Sequence, residues 1–213
     1  NNNIIVNDGS MVANGAAAIV TNLGVAGTNV TNSATGSITT SGSDAHGIDI
    51  GAASSGTLTN AGTISTTGSG AYGINVGGAN TGTIVNLGSI SAVGANAYGI
   101  NVTGVSNRIV GNGNITSSSH AISVAGIAAG GTINTTIDAD DNALTGGTIN
   151  VTGDGNGINI GASGYAGDAT IVNDADIKVE GTGSAIYSQK ALDGGAGTTV
   201  SITNSGDLTT ADG

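Results

Sequence analysis

The feature that most constrains the fold of this chain is a sequence repeat with a period of 26 residues. The segment from Gly62 to Val76 returns almost unchanged from Gly88 to Val102, and an earlier copy runs from Gly36 to Ile50. Weaker copies begin near Gly9, Gly113, Gly147, Ala175 and Gly206. A repeat of this length indicates stacked structural units that bury their apolar faces against one another, instead of one globular core.

Each copy contains three short runs in which an apolar residue recurs at the same place. The first run supplies Met11, Ile38, Ile64, Ile90, Ile115, Ile149, Ile177 and Leu208. The second supplies Ile48, Ile74, Ile100, Ile122, Ile158 and Ile186. The third supplies Ile5, Val30, Leu58, Ile84, Ile109, Ile133, Ile171 and Ile202. β-Branched residues that alternate with polar ones are typical of strands with one buried face.

Three short strands per copy predict a right-handed parallel β-helix (a β-solenoid) of roughly seven coils. We expect it to form a single unit over residues 1–213, with equivalent Ile residues about 4.8 Å apart on neighbouring coils. The chain contains no proline, as a fold that uses every backbone N–H in its ladders requires. Asn75 and Asn101 alternate with core positions, and we predict that they point outward and tolerate replacement.

An asparagine follows the third run in most copies, two residues after its apolar anchor. These residues are Asn7, Asn32, Asn60, Asn86, Asn173 and Asn204. Their phase places them inward or at a corner, so the sequence predicts a stacked asparagine ladder that bonds coil to coil. Such a ladder satisfies amides that are costly to bury alone.

Composition excludes several classes of function. With 14 acids against three bases the net charge is −11, which argues against binding to nucleic acids or to anionic membranes. The absence of cysteine excludes disulfides and thiolate metal sites. No apolar stretch is long enough to span a bilayer, so we expect no direct membrane insertion of this segment. Because the chain begins Asn-Asn-Asn, we expect it to be an internal or processed segment of a longer protein.

The segments from Asn60 to Ile74 and from Asn86 to Ile100 share a motif that resembles repeats in the passenger domains of Gram-negative autotransporters (type V secretion). The motif reads Asn-x-Gly-x-Ile, followed after three residues by Gly-x-x-Ala-x-Gly-Ile. The resemblance covers most of the chain. It implies a β-helical segment that is secreted or displayed at the cell surface, and many such passengers are adhesins.

Two irregular segments, near residues 136–147 and 189–198, are expected to leave the rod as loops. The first holds Asp138, Asp140, Asp141 and Asn142, whose oxygens could bind Ca²⁺, although a solvated acidic loop is the alternative interpretation. The second holds Lys190 and Asp193. Because loops on a rigid scaffold commonly carry binding function, these residues are candidates for contact with a partner.

One further column precedes the small residue of the second run: His46, Tyr72, Tyr98, His120, Asn156 and Ser184. This mixture of residue types indicates a corner or a solvent-facing surface, with Tyr72 and Tyr98 as a second candidate binding site. Asp174, Asp176, Lys178 and Glu180 alternate with apolar residues and are interpreted as a solvated face of mixed charge.

The sequence thus predicts a non-catalytic adhesin, stalk or receptor-binding segment without a cofactor, at the surface of a Gram-negative bacterium or secreted from it. Its expected partner is a protein or glycan of a host or neighbouring cell, and the chain itself is expected to be monomeric or associated end to end. Three alternatives remain on the same fold. They are a polysaccharide-acting enzyme, an ice-binding solenoid and a self-assembling fibre with open strand edges at its ends.

Overall fold

The computed structural model describes residues 3–21, 27–134, 147–161, 169–189 and 200–211. Within these residues the regular structure consists of strands, and every named pair of strands is parallel. The chain forms a β-solenoid of about six turns with about 26 residues per turn, close to the predicted seven coils. The prediction of a stacked parallel β-solenoid is therefore confirmed.

The strands of the described residues form two sheets. The first run of each coil builds one sheet from β2 (Ser10–Ala13), β5 (Ser37–Thr40), β8 (Thr63–Thr66), β11 (Ser89–Ala92), β13 (Asn114–Ser117), β15 (Thr148–Val151), β18 (Asp176–Val179) and β21 (Leu208–Thr210). The second run forms β3 (Ile19–Thr21), β6 (Ile48–Ile50), β9 (Ile74–Val76), β16 (Ile158–Ile160) and β19 (Ile186–Ser188). The third run forms β1 (Ile4–Asn7), β4 (Asn29–Asn32), β7 (Thr57–Asn60), β10 (Asn80–Asn86), β17 (Ala169–Asn173) and β20 (Val200–Asn204). In two coils a single long strand contains both the second run and the third run; these strands are β12 (Ile100–Val110) and β14 (Ile122–Asn134). They join the second-run strands and the third-run strands into one second sheet.

The strand register places equivalent residues of successive coils side by side. Ile64 pairs with Ile90 in the first column, and Ile74 with Ile100 in the second. The three columns face a common interior, and their Ile, Val and Leu side chains in the central coils are almost completely buried. The pairing of the columns that the sequence predicts is confirmed throughout the described strands, and β3 adds Ile19 to the start of the second column.

The predicted asparagine ladder is present in the interior. The Nδ2 atom of each residue donates to the Oδ1 atom of the asparagine one coil further on. This links Asn7 to Asn32 (2.8 Å), Asn32 to Asn60 (2.8 Å), Asn60 to Asn86 (2.9 Å) and Asn173 to Asn204 (2.7 Å). The ladder gives each coil a polar anchor inside an otherwise apolar core, and it fixes the register, because a slip of one residue would remove every bond.

The ladder stops at Gly111, which occupies the next position of the column after Asn86. Gly111 has φ of +134°, and a Cβ atom there would overlap the backbone carbonyl of Asn86, so asparagine cannot follow at this position. The Nδ2 atom of Asn86 is consequently buried without a protein partner, beside a cavity of about 20 Å³. That volume is sufficient for one water molecule.

Glycine recurs at the corner after the first strand because successive coils are in backbone contact there. A Cβ atom on Gly68 would overlap the carbonyl of Gly42, and one on Gly94 would overlap the carbonyl of Gly68. Gly15 occupies the same corner in the first coil, where a Cβ atom would meet nothing within 4 Å. The requirement for glycine thus comes from the preceding coil and not from the local turn.

We predict that Gly94→Ala destabilises the protein by about 2 kcal/mol or more, because the added methyl group forces two coils apart. The matched control is Gly15→Ala, which introduces the same methyl group at the equivalent corner without a coil to displace. Thermal or denaturant melts in dilute solution would compare the two variants. Equal losses at both positions would contradict the steric explanation.

We predict that Asn60→Ala costs about 3 kcal/mol, because it leaves the Nδ2 atom of Asn32 and the Oδ1 atom of Asn86 buried without that partner. Asn204→Ala removes the last rung, where the side chain is exposed and Asn173 retains its bond to the carbonyl of Ala175. The loss of unfolding free energy there is expected to be about 1 kcal/mol or less. Equal losses of unfolding free energy for Asn60→Ala and Asn204→Ala would show that the buried rungs of the ladder do not anchor the coils.

Candidate functional site

The candidate site is a surface built along the second strands, where four rings lie on top of one another. We call His46, Tyr72, Tyr98 and His120 the aromatic column. The ring centroids of His46 and Tyr72 are 4.7 Å apart, as are those of Tyr72 and Tyr98, and both pairs are nearly parallel, at 11° and 7°. His120 lies 5.0 Å beyond Tyr98 and is tilted by 42°. The structure therefore brings together the two tyrosines that the sequence selected.

The column forms because the residue that follows each ring is glycine or alanine. A Cβ atom on Gly73 would lie 2.7 Å from the carbonyl oxygen of Gly99 and would overlap the Ile90 side chain. This tight packing fixes the corner at the same height in every coil. The preceding side chains are then held in line, and they lie half buried at the surface.

Both histidines are tied to the next coil through their Nδ1 atoms. The backbone N–H of Tyr72 donates to Nδ1 of His46 at 3.0 Å, and that of Asn156 donates to Nδ1 of His120 at 2.7 Å. An Nδ1 atom that accepts a hydrogen bond cannot also carry a proton, so the neutral rings are protonated at Nε2. The histidines thus act as structural links between coils.

Burial lowers the pKa of both histidines below the ordinary value of 6.5. For His46 the carboxylates of Asp49 and Asp44 offset part of this effect. Burial also raises the pKa of Tyr72, with smaller contributions from Tyr98 and Asp44. These shifts in pKa favour the uncharged forms of His46, Tyr72 and His120 at neutral pH.

A second line of side chains runs beside the aromatic column and consists of Asp49, Asn75, Asn101, Ser123 and Asn159; we call it the amide column. The Nδ2 atom of Asn75 donates to Oδ1 of Asp49, and that of Asn101 donates to Oδ1 of Asn75, both at 2.8 Å. Asn156, which occupies the repeat position after His120, donates from Nδ2 to Oδ1 of Asn159 in the amide column at 2.9 Å.

The amide column corrects one part of the sequence analysis. Asn75 and Asn101 do point away from the Ile core, as predicted, because Ile74, Val76 and Ile100 on the same strands are buried. The prediction that they tolerate replacement did not take account of these bonds, since both residues bond to the neighbouring coil and Asn101 is only 8% exposed. The signal was visible in the sequence as Asp49, Asn75 and Asn101 recurring at the repeat spacing.

The geometry of the two columns limits the chemistry of this surface. Tyr72 and Tyr98 each have a neighbouring ring on both faces, so that only their edges and hydroxyl groups are available to a ligand. The amide column adds hydrogen-bonding groups at the spacing of the coils. The two tyrosines therefore offer no open ring face on which a sugar could stack, and the two columns present hydrogen-bonding groups along the rod axis.

The other candidate residues are distributed as follows. Asp138, Asp140, Asp141, Asn142, Lys190 and Asp193 lie outside the described residues. Within the described ranges no three His, Asp or Glu side chains come together as a metal site. Lys178 and Glu180 form an ion pair at 2.7 Å on an exposed strand face, as the interpretation of a solvated mixed-charge face predicts.

The fold and this surface define the class of protein as a parallel β-solenoid with an ordered polar exterior. Comparison with protein-family models finds no match, and comparisons with curated proteins and with solved structures find none either. In the part of the chain that the structure describes, no helix is long and apolar enough to cross a membrane.

We predict that the aromatic column makes stability depend on pH. The folded-state pKa of both histidines lies below the unfolded value, so the unfolded chain binds protons more readily in weak acid. Their contribution to stability is present above pH 6.5 and is lost as the pH falls through the folded pKa. Protonation at Nδ1 also removes the bonds to the N–H groups of Tyr72 and Asn156. Melts between neutral and weakly acidic pH would measure the loss.

The control variant is designed from the residue at the repeat position that follows His120. Asn156 occupies an equivalent position, and its Oδ1 atom accepts the N–H of Ser184 at 2.7 Å. The double variant His46→Asn, His120→Asn therefore keeps an acceptor at each site but cannot be protonated. Its stability should vary less with pH than that of the parent over this range. Identical pH profiles would show that the carboxylates alone produce the acid response.

Proposed function

We propose that this chain is a non-catalytic segment of a secreted or surface-displayed autotransporter-type passenger, acting as an adhesin, stalk or receptor-binding surface. Its partner is a protein or glycan at the surface of a host or neighbouring cell. The producing cell is a Gram-negative bacterium. The proposal rests on the resemblance of the repeats to such passengers and on the exterior of the solenoid.

The exterior supports the proposal because the interior is already occupied by structural residues. The Ile columns and the asparagine ladder fill the inside of the described coils. The outward positions of the first-strand sheet between β5 and β15 carry short neutral polar residues. They are Ser37, Thr39, Thr63, Ser65, Ser89, Ser91, Asn114, Thr116, Thr148 and Asn150. Such a surface suits hydrogen bonding to neutral polar partners, and the excess of acids disfavours polyanions.

The observation that carries the proposal is that the strand register continues across both irregular segments. Ile115 pairs with Ile149 although residues 135–146 intervene between β14 and β15. Ile171 pairs with Ile202 although residues 190–199 intervene between β19 and β20. Extra chain is therefore inserted without disturbing the scaffold. This is the arrangement in which a loop is free to carry specificity.

We predict that removing both insertions abolishes binding and leaves the rod folded. Deleting residues 137–146 leaves three residues between Asn134 and Thr148, as between Val110 and Asn114. Deleting residues 190–195 places Ser188 and Ile202 as far apart in sequence as Val76 and Ile84 are. Binding of the labelled chain to cells and to immobilised glycans would be measured beside far-UV circular dichroism and a thermal melt.

The control is the chain with its insertions intact and Asp138, Asp140 and Asp141 replaced by Asn, which tests charge separately from length. If this variant melts like the parent in the presence and absence of a chelator, the first segment is an acidic loop and not a Ca²⁺ site. A loop-deleted rod that binds as well as the parent would move the site to the regular surfaces, with Tyr72 and Tyr98 first. Turnover of a glycan or peptide by the purified chain would refute the non-catalytic assignment.

A further inference from the structure

The two tyrosines of the aromatic column lie face to face on neighbouring coils. Their ring centroids are 4.7 Å apart and their planes differ by 7°. We propose that Tyr72 and Tyr98 are a site of oxidative modification, at which a one-electron oxidant, such as a haem peroxidase with hydrogen peroxide, joins the two rings as dityrosine. The proposal concerns the covalent chemistry of the rod and does not depend on the adhesin function.

The composition of the chain directs one-electron oxidation to tyrosine. Cysteine and tryptophan, which usually compete with tyrosine for an oxidant, are absent, and the chain has a single methionine. The four tyrosines are therefore the main targets among its 213 residues. Which of them react with one another is then decided by the fold.

The backbone holds the two rings one coil apart. The N–H of Gly73 donates to the carbonyl of Tyr98 at 3.0 Å, so the coils are hydrogen-bonded immediately beside the rings. The N–H of Tyr72 is bound in turn to Nδ1 of His46. Because the rings are nearly parallel and occupy the same repeat position, the ortho carbons of one ring lie near those of the other. Rotation about the side-chain torsions then brings one pair of ortho carbons into bonding contact.

The reaction is a two-electron oxidation that forms one carbon–carbon bond. Each phenol gives one electron to the oxidant and its hydroxyl proton to solvent, which leaves two phenoxyl radicals. The radicals couple between two ortho carbons, each of which then loses its hydrogen as a proton while each oxygen regains one. Hydrogen peroxide takes up the two electrons and two protons and is reduced to two molecules of water. The chain thereby loses two hydrogen atoms.

The neighbouring groups favour coupling within the pair. Both tyrosines lie half buried at the surface, and their edges remain accessible to an oxidant. The rings on the outer sides of the pair are those of His46 and His120, so neither tyrosine has a second phenol stacked on it. A radical formed on Tyr72 therefore has the ring of Tyr98 as its adjacent phenol.

Tyr187 provides a comparison within the same chain. It lies on β19, is 42% exposed and pairs in register with Asn159 instead of with another ring. Among the described residues no ring is stacked on it. Its radical would have to meet another tyrosine by diffusion, so cross-links from Tyr187 between copies of the chain should increase with protein concentration. Tyr165 lies outside the described residues.

The dityrosine bond joins two neighbouring coils covalently. It closes a loop between residues 72 and 98, and the two coils stay linked even when the chain unfolds, as they would with a disulfide. The chain contains no cysteine and cannot form a disulfide. Oxidation of the aromatic column therefore supplies a covalent link between coils that the composition otherwise excludes.

The test is oxidation of the dilute purified chain with a haem peroxidase and hydrogen peroxide, followed by mass spectrometry of the intact chain and of its proteolytic peptides. We expect a monomer that has lost two hydrogen atoms and a linked pair of peptides that contain Tyr72 and Tyr98. This pair should exceed every other tyrosine pair by at least about tenfold, because the fold holds the two phenols in contact. In denaturant the preference should disappear.

The matched variant is Tyr98→Phe, which keeps a ring in the stack and removes the phenol. It should lose the dityrosine bond within the chain, whereas Tyr187→Phe should be cross-linked like the parent. Undiminished dityrosine within the Tyr98→Phe chain would overturn the proposal, and so would a bond from Tyr72 to His46 in place of Tyr98. A parent chain that stays unlinked under conditions that couple free tyrosine would overturn it as well.

Discussion

The structure depends on parallel backbone pairing between one coil and the next. No coil pairs its own strands with one another, because every named pair joins strands of two neighbouring coils, so every ladder bond crosses between coils. This requirement explains why proline is absent, why corner glycines lie against the preceding backbone and why the repeat length is held near 26 residues. Stability is then a sum of contacts between neighbouring coils.

Side-chain columns turn this pairing into a specific register. The Ile columns supply apolar burial, but apolar contact alone tolerates sliding. The asparagine ladder does not, since displacing Asn32 or Asn60 by one residue would turn a buried amide away from its partner. On the outer surface, the aromatic column and the amide column make the same kind of directional contact between neighbouring coils. The chain thus uses directional polar contacts on both sides of its sheets.

The core could be predicted from the sequence because periodicity reports directly on which residues share a column. Ile64, Ile90 and Asn60 were placed correctly for this reason. Other features depend on geometry that one residue does not reveal. The break at Gly111 follows from a backbone angle, and the links from His46 and His120 follow from which ring nitrogen meets a backbone N–H. The bonding of Asn75 and Asn101 was missed because alternation along a strand indicates only that a side chain points outward, and not what it bonds to there.

The central claim, that equivalent residues of successive coils are in contact, is tested most directly by nuclear magnetic resonance of the Ile-methyl-labelled chain. The account predicts cross-peaks between Ile64 and Ile90 and between Ile90 and Ile115, which are neighbours in the first column. It predicts none between Ile64 and Ile115, which are two coils apart. Absence of the two neighbour contacts, or contacts displaced to other residues of the repeat, would contradict the stacked register on which the rest of the structure depends.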